Sequence, residues 1–137
     1  MDIFNILRYM HPNAQFSMGD TYDSIVWDSQ DIPKPTLQEI ESAYPDYQFY
    51  LFKKQAGKFI QDFIDNKAQE KDYGNGIHCA SYINSTNLQW KQEAQSFVTW
   101  RDAVWLYAYS ELALIQAGDK PVPTIEEFIQ SLPELNW

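Results

Sequence analysis

From residue 87 to residue 117 the chain reads NLQWKQEAQSFVTWRDAVWLYAYSELALIQA, without proline or glycine and with aromatic side chains at helical spacing. The run predicts one long helix. Gly118 can close it in a left-handed conformation, and Pro121 and Pro123 forbid continuation. About thirty residues at ~1.5 Å rise make a rod roughly 45 Å long, well beyond the average of about three turns in globular proteins. Its sides must be covered. Trp90, Ala94, Phe97, Arg101, Val104, Ala108, Leu112 and Ile115 recur in steps of three and four and form one apolar stripe. Trp100, Trp105, Tyr107 and Tyr109 lie off that stripe, so apolar surface extends round much of the cylinder. The rest of the chain can wrap this helix, or part of its surface can meet another copy or another protein.

A length of 137 residues is enough to bury a core without disulfides or metal, and we expect a single domain over 1–137. Within it, 1–35 should hold a helix and a β-hairpin, 36–72 should be helical, and 73–137 should hold the long aromatic helix and a capped C-terminal helix. The expected fold class is mainly α with a small N-terminal β-hairpin (α+β), built on two long packed helices. Nine Tyr, eight Phe and five Trp supply large side chains with polar edges, suited both to a core and to interfaces.

The formal charge of −9, nineteen acidic residues against ten basic ones, repels phosphate backbones and anionic lipid heads, so neither nucleic acid nor membrane is an expected partner. One cysteine, Cys79, cannot form an internal disulfide, and no basic-then-apolar leader or long apolar run is visible. We therefore expect folding in a reducing cytoplasm.

Ile3, Ile6, Leu7 and Met10 share one face of a first helix that starts after Asp2 and ends at His11, Pro12 and Asn13. AQFSM and YDSIVWD then alternate apolar and polar residues around Gly19, Asp20 and Thr21, the pattern of an antiparallel hairpin. Two strands alone are marginal in water, so this ribbon must lie on something else. Pro33 and Pro35 hold an extended course up to Thr36, which forms a capping box with Glu39; the same device recurs as Thr124 with Glu127. Phe49, Phe52, Ala56, Phe59, Ile60, Phe63 and Ile64 mark a second long amphipathic helix over 47–71, weakened but not ended by Gly57. Gly74, Asn75 and Gly76 make a turn, 77–83 form a short helix, and Ser85, Thr86 or Asn87 caps the long aromatic helix.

Chemistry is sparsely represented. Two histidines and one cysteine are too few for a zinc site of those ligands, and no HExxH, CxxC, phosphate loop or GxSxG elbow occurs. His78 and Cys79 are adjacent in sequence and so point different ways on a helix. We expect no catalytic, metal or cofactor site, and no enzyme. The candidate partner contacts are Trp27, Trp100, Arg101, Trp105, Tyr109 and Trp137, aromatic and arginine side chains of the kind that anchor interfaces. Trp137 is expected to be exposed at the terminus. Arg101 can equally pack its stem on aromatics and pair its head with a carboxylate.

Ser81, Tyr82, Glu93, Ala94, Trp100, Arg101, Asp102, Trp105, Gly118, Pro121, Pro123, Thr124, Leu132 and Pro133 stand in an order that resembles small proteins encoded in the tail-fibre region of tailed bacteriophages and prophages. LRYMHPNAQFSM followed by IVWDSQDIPKPTLQEIESA is similar to the opening of phage tail proteins of the same genomic neighbourhood. The resemblance implies a role in tail-fibre assembly, as chaperone or adaptor, in the host cytoplasm, with a fibre or other tail protein as partner. A permanent place in the virion tail is the alternative, and a small hydrolase a third. It carries no functional residues with it.

Overall fold

The computed structural model describes all residues, Met1–Trp137, and they pack as two compact units, Met1–Leu51 and Phe52–Trp137. The architecture is mainly α with a two-stranded antiparallel ribbon near the N-terminus. The helices are α1 (Ile3–Met10), α2 (Leu37–Gln69), α3 (Gly76–Ser81), α4 (Leu88–Gln116) and α5 (Ile125–Gln130); the strands are β1 (Phe16–Ser17) and β2 (Val26–Trp27). The first part of α2 belongs to the first unit and the remainder to the second.

In the first unit, Asp2 caps α1 by accepting from the Asn5 N–H, and Ile6 and Leu7 are buried. They join Ala14, Phe16, Ile25, Ile40 and Tyr47 in one core, which is what the ribbon lies on. The strands pair Phe16 with Trp27, whose rings stack 5.4 Å apart. Such a short ladder is held mainly by side chains. The Trp27 Nε1 donates to the Ile32 carbonyl at 2.7 Å, the Tyr22 hydroxyl to the Pro35 carbonyl at 2.9 Å, and Arg8 to the Ala14 carbonyl while lying 4.5 Å over the Phe16 ring. The second run is less extended than its alternation suggests, because Tyr22–Ser24 form a 3-10 turn. The Ser24 hydroxyl causes this by accepting from the Gly19 N–H and donating to the Thr21 carbonyl.

Thr36 and Glu39 form the expected capping box: the Thr36 N–H donates to the Glu39 carboxylate at 2.7 Å and the Glu39 N–H to the Thr36 hydroxyl at 3.2 Å. The helix begun there and the one expected over 47–71 are continuous, with Pro45 inside α2. Proline removes one intrahelical donor. Pro45 and Glu41 are both exposed, so the carbonyl that loses its donor remains open to water.

In the second unit, α2 buries Phe52, Ala56, Ile60, Ile64 and Ala68, one residue per turn, and α4 buries Ala94, Phe97, Trp100, Val104, Ala108 and Ile115. Contact between the helices is made by Phe63 against Trp100, ring centroids 5.5 Å apart, and Phe52 meets Phe128 of α5 edge-on. Asn75 caps α3, and Gly76 enters the core, where its N–H donates to Asp65 Oδ1 at 2.8 Å. A Cβ at position 76 would lie 3.1 Å from the Phe97 Cζ, 3.1 Å from Asp65 Oδ1 and 3.2 Å from Ile64 Cγ2, so only glycine fits without displacement.

Helix α4 has the limits expected of it. The Asn87 side chain accepts from the Trp90 N–H at 3.2 Å, and Gly118 adopts φ 79°. The Asp119 N–H returns to the Leu114 carbonyl and the Gly118 N–H to the Ile115 carbonyl, the double closure of a Schellman motif. The buried stripe differs from the sequence expectation at four positions, of which Arg101 and Leu112 are only half-buried. Trp100 is in the core and Trp90 is exposed. The reason is that α3 and the C-terminal tail cover α4, so the buried arc turns toward Trp100 along the middle of the helix. Thr124 caps α5 with Glu127 in the second capping box.

Candidate functional site

The solvent face of α4 is one part of the second unit whose chemistry its own packing does not use. Leu106 and Tyr109 are 72% and 64% exposed, and with Ala113 they follow one another at i, i+3 and i+7, on the side of the helix away from Val104, Ala108 and Ile115. Trp105, half-buried, borders the strip with its ring centroid 6.0 Å from that of Tyr109. Leu114 and Val122 are exposed nearby in sequence. Lys120 pairs with Glu111 at 2.7 Å, which holds the segment after the helix against its last turns. The strip therefore stands on a rigid support, capped at both ends of a 29-residue helix.

The six residues expected to be contacts have different fates. Trp100 is a core residue, 5% exposed, with its Nε1 donating to the Pro133 carbonyl at 2.8 Å and its ring beside Phe63 and Phe97. As a partner contact it is corrected: the indole ties the C-terminal tail to α4. Trp137 is not the exposed terminal residue expected: it is half-buried and stacked on Phe97 at 6.0 Å, with Lys71 Nζ 5.9 Å over its ring. The tail turns inward because Leu132 and Leu135 are buried and carry the terminal indole with them. The Trp137 Nε1 is buried without a hydrogen-bond partner; the Glu70 carboxylate, held below its usual range chiefly by Lys67, is near it but not in bonding geometry.

Arg101 is half-buried and donates from Nε and Nη2 to one oxygen of Asp102, at 3.0 and 2.8 Å. A partly exposed pair of this kind contributes about 0–1 kcal/mol. Trp27, in the first unit, is half-buried in the ribbon. Trp105 and Tyr109 are the two of the six that reach the exposed strip. Leu106 and Ala113, which complete it, were not among the expected contacts, although their phase, half a turn from Val104 and Ala108, is readable in the sequence.

Cys79 is fully buried, and burial, with Glu93 adding to it, pushes its thiol up to about 11. It is a protonated thiol at neutral pH, and His78 beside it in sequence is exposed. No helix is long and apolar enough to cross a membrane. No protein-family model, curated protein or solved structure matches the chain.

Proposed function

We propose that this protein acts in the assembly of a phage tail fibre, as a chaperone or adaptor that holds the fibre chain through the solvent face of α4. The observation that carries the reading is the exposed apolar strip of Leu106, Tyr109 and Ala113, with Trp105 at its edge, on a helix rigid enough to present it. An aromatic and aliphatic strip of this kind suits a protein partner. The resemblance of Trp100-Arg101-Asp102, Trp105 and the Gly118 to Thr124 cluster to tail-fibre-region proteins supplies the partner class. The physical rationale is that fibre chains before trimerisation expose β edges and apolar surface that aggregate. A soluble binder of net charge −9 can cover such surface and keep the complex dispersed in the host cytoplasm.

Co-expression with a candidate tail-fibre chain from the same genome tests the reading. Soluble, trimeric fibre should increase when the protein is present. Equal fibre yield with and without it would contradict the role.

A further inference from the structure

The second unit contains a cleft of about 440 Å³ lined by three aromatic residues among polar and charged ones, of which three are acidic and one is basic. Three rings line it from three different elements. Tyr73 follows α2, where Asp72 in the left-handed region (φ 64°) turns the chain and the Tyr73 N–H closes the helix on the Ala68 carbonyl. Tyr82 is the C-terminal cap of α3, and Trp90 stands in the first turn of α4. The Tyr73 and Tyr82 rings are 5.5 Å apart at 54°, and those of Tyr82 and Trp90 are 5.6 Å apart at 79°. Rings so inclined pack edge toward face rather than as a flat stack, and Tyr82 and Trp90 remain 38% and 47% exposed, so both can be reached from solvent.

Glu93 supplies a fixed charge. Its Oε2 accepts from the Tyr73 hydroxyl and its Oε1 from Gln89 Nε2, both at 3.0 Å, so the carboxylate is held in one orientation. Burial and Glu93 both push the Tyr73 hydroxyl above its ordinary value, which keeps it a donor to that carboxylate. Asp72 adds a second negative charge at the rim, and Glu70, also there, is paired with Lys67 Nζ at 3.0 Å. Lys71 also lines the cleft, but its ammonium lies over the Trp137 ring.

Aromatic faces attract cations by about 0.5–1 kcal/mol at exposed sites and about 2 kcal/mol when desolvated, and cages of such rings are the recurrent recognition element for alkylated ammonium groups. The carboxylates repel anions. A hard metal ion prefers several oxygen ligands, whereas both oxygens of Glu93 are already engaged and Glu70 is paired with Lys67. We propose that this cleft binds an alkylammonium group, with Tyr73, Tyr82 and Trp90 around the cation and Glu93 as its counter-charge. The group can be carried by a small quaternary ammonium compound or by the lysine side chain of a polypeptide. This site does not depend on the fibre reading, and either can fail without the other.

The test titrates the full chain, at constant ionic strength, with tetramethylammonium, choline, the uncharged tert-butyl analogue of choline, and acetyl-lysine methylamide, followed by nuclear magnetic resonance of the tyrosine and tryptophan side chains. At least one ammonium probe should shift the Tyr82 and Trp90 signals saturably, and the uncharged analogue should bind at least about tenfold more weakly. Tighter binding of the quaternary probes assigns a small-molecule ligand; tighter binding of the lysine probe assigns a polypeptide side chain. Trp90→Ala and, independently, Tyr82→Ser and Glu93→Gln should each weaken binding about tenfold with the far-ultraviolet circular dichroism unchanged. Equal binding of charged and uncharged probes, no saturable shift with any ammonium probe, or binding unaffected in folded variants would overturn the proposal.

Discussion

Replacing Trp100 by phenylalanine keeps an aromatic ring in the second unit's core but removes the indole N–H that reaches the Pro133 carbonyl at 2.8 Å. The lost hydrogen bond, which is part-buried, accounts for about 0.5–1.5 kcal/mol. The smaller ring leaves a gap between Phe63 and Phe97, whose centroids lie 5.5 and 5.6 Å from the indole, worth a further ~1–2 kcal/mol. The sum is about 1.5–3.5 kcal/mol, and Trp100→Ala should reach about 3–5 kcal/mol. With a urea m-value of about 2 kcal/mol/M, Trp100→Phe lowers the unfolding midpoint by roughly 1 M. Because the contact ties the tail to α4, amide exchange over 132–137 should also accelerate in this variant before global unfolding. A midpoint shift corresponding to less than about 0.5 kcal/mol, with unchanged exchange in the tail, would refute the assignment of Trp100 to the core.

Two glycines should respond with opposite signs to the same change. Gly57→Ala, in α2 with nothing within 4 Å of an added methyl, should stabilise by about 0.5–1 kcal/mol, whereas Gly76→Ala, wedged against Phe97, Asp65 and Ile64, should destabilise by about 1–3 kcal/mol; urea denaturation of both variants reads the contrast. Thr124→Ala removes one half of the second capping box and should cost about 1 kcal/mol by the same measurement. Cys79 has its folded pKa raised from the ordinary 9.0 to about 11, so the folded state holds the thiol proton more tightly than the unfolded chain. That contribution is complete below pH 9 and is lost as pH rises through about 11, so stability should fall over this window in the parent and less steeply in Cys79→Ala, read by denaturation at each pH.

Much of this fold is legible because local signals agree with one another. Asn87, the Gly-free and Pro-free run and Gly118 specify α4 from its cap to its closure, and Thr36 with Glu39 specifies the start of α2. The helix from Thr36 and the one expected over 47–71 are a single helix through Pro45, a residue at which the freed carbonyl of Glu41 lies on an exposed stretch. Which aromatics are buried was less legible. Helical spacing places Trp90 and Trp100 on neighbouring arcs of one cylinder, and the choice between them is made by α3 and by the tail carrying Leu132, Leu135 and Trp137, which no local pattern announces. The aromatic cleft was unreadable for the same reason: Tyr73, Tyr82 and Trp90 come from three elements, and only the left-handed turn at Asp72 and the caps of α3 and α4 bring them together.

The fibre-assembly role depends on the exposed strip of α4, and it is tested most directly by the yield of trimeric fibre when the fibre chain is co-expressed with the parent protein or with Leu106→Asp/Tyr109→Ser. Both side chains face solvent, so the variant should fold and unfold as the parent does. The role predicts that fibre trimer falls with the variant to the level obtained without the protein. Trimer yield equal to that of the parent, with the variant folded, would contradict it.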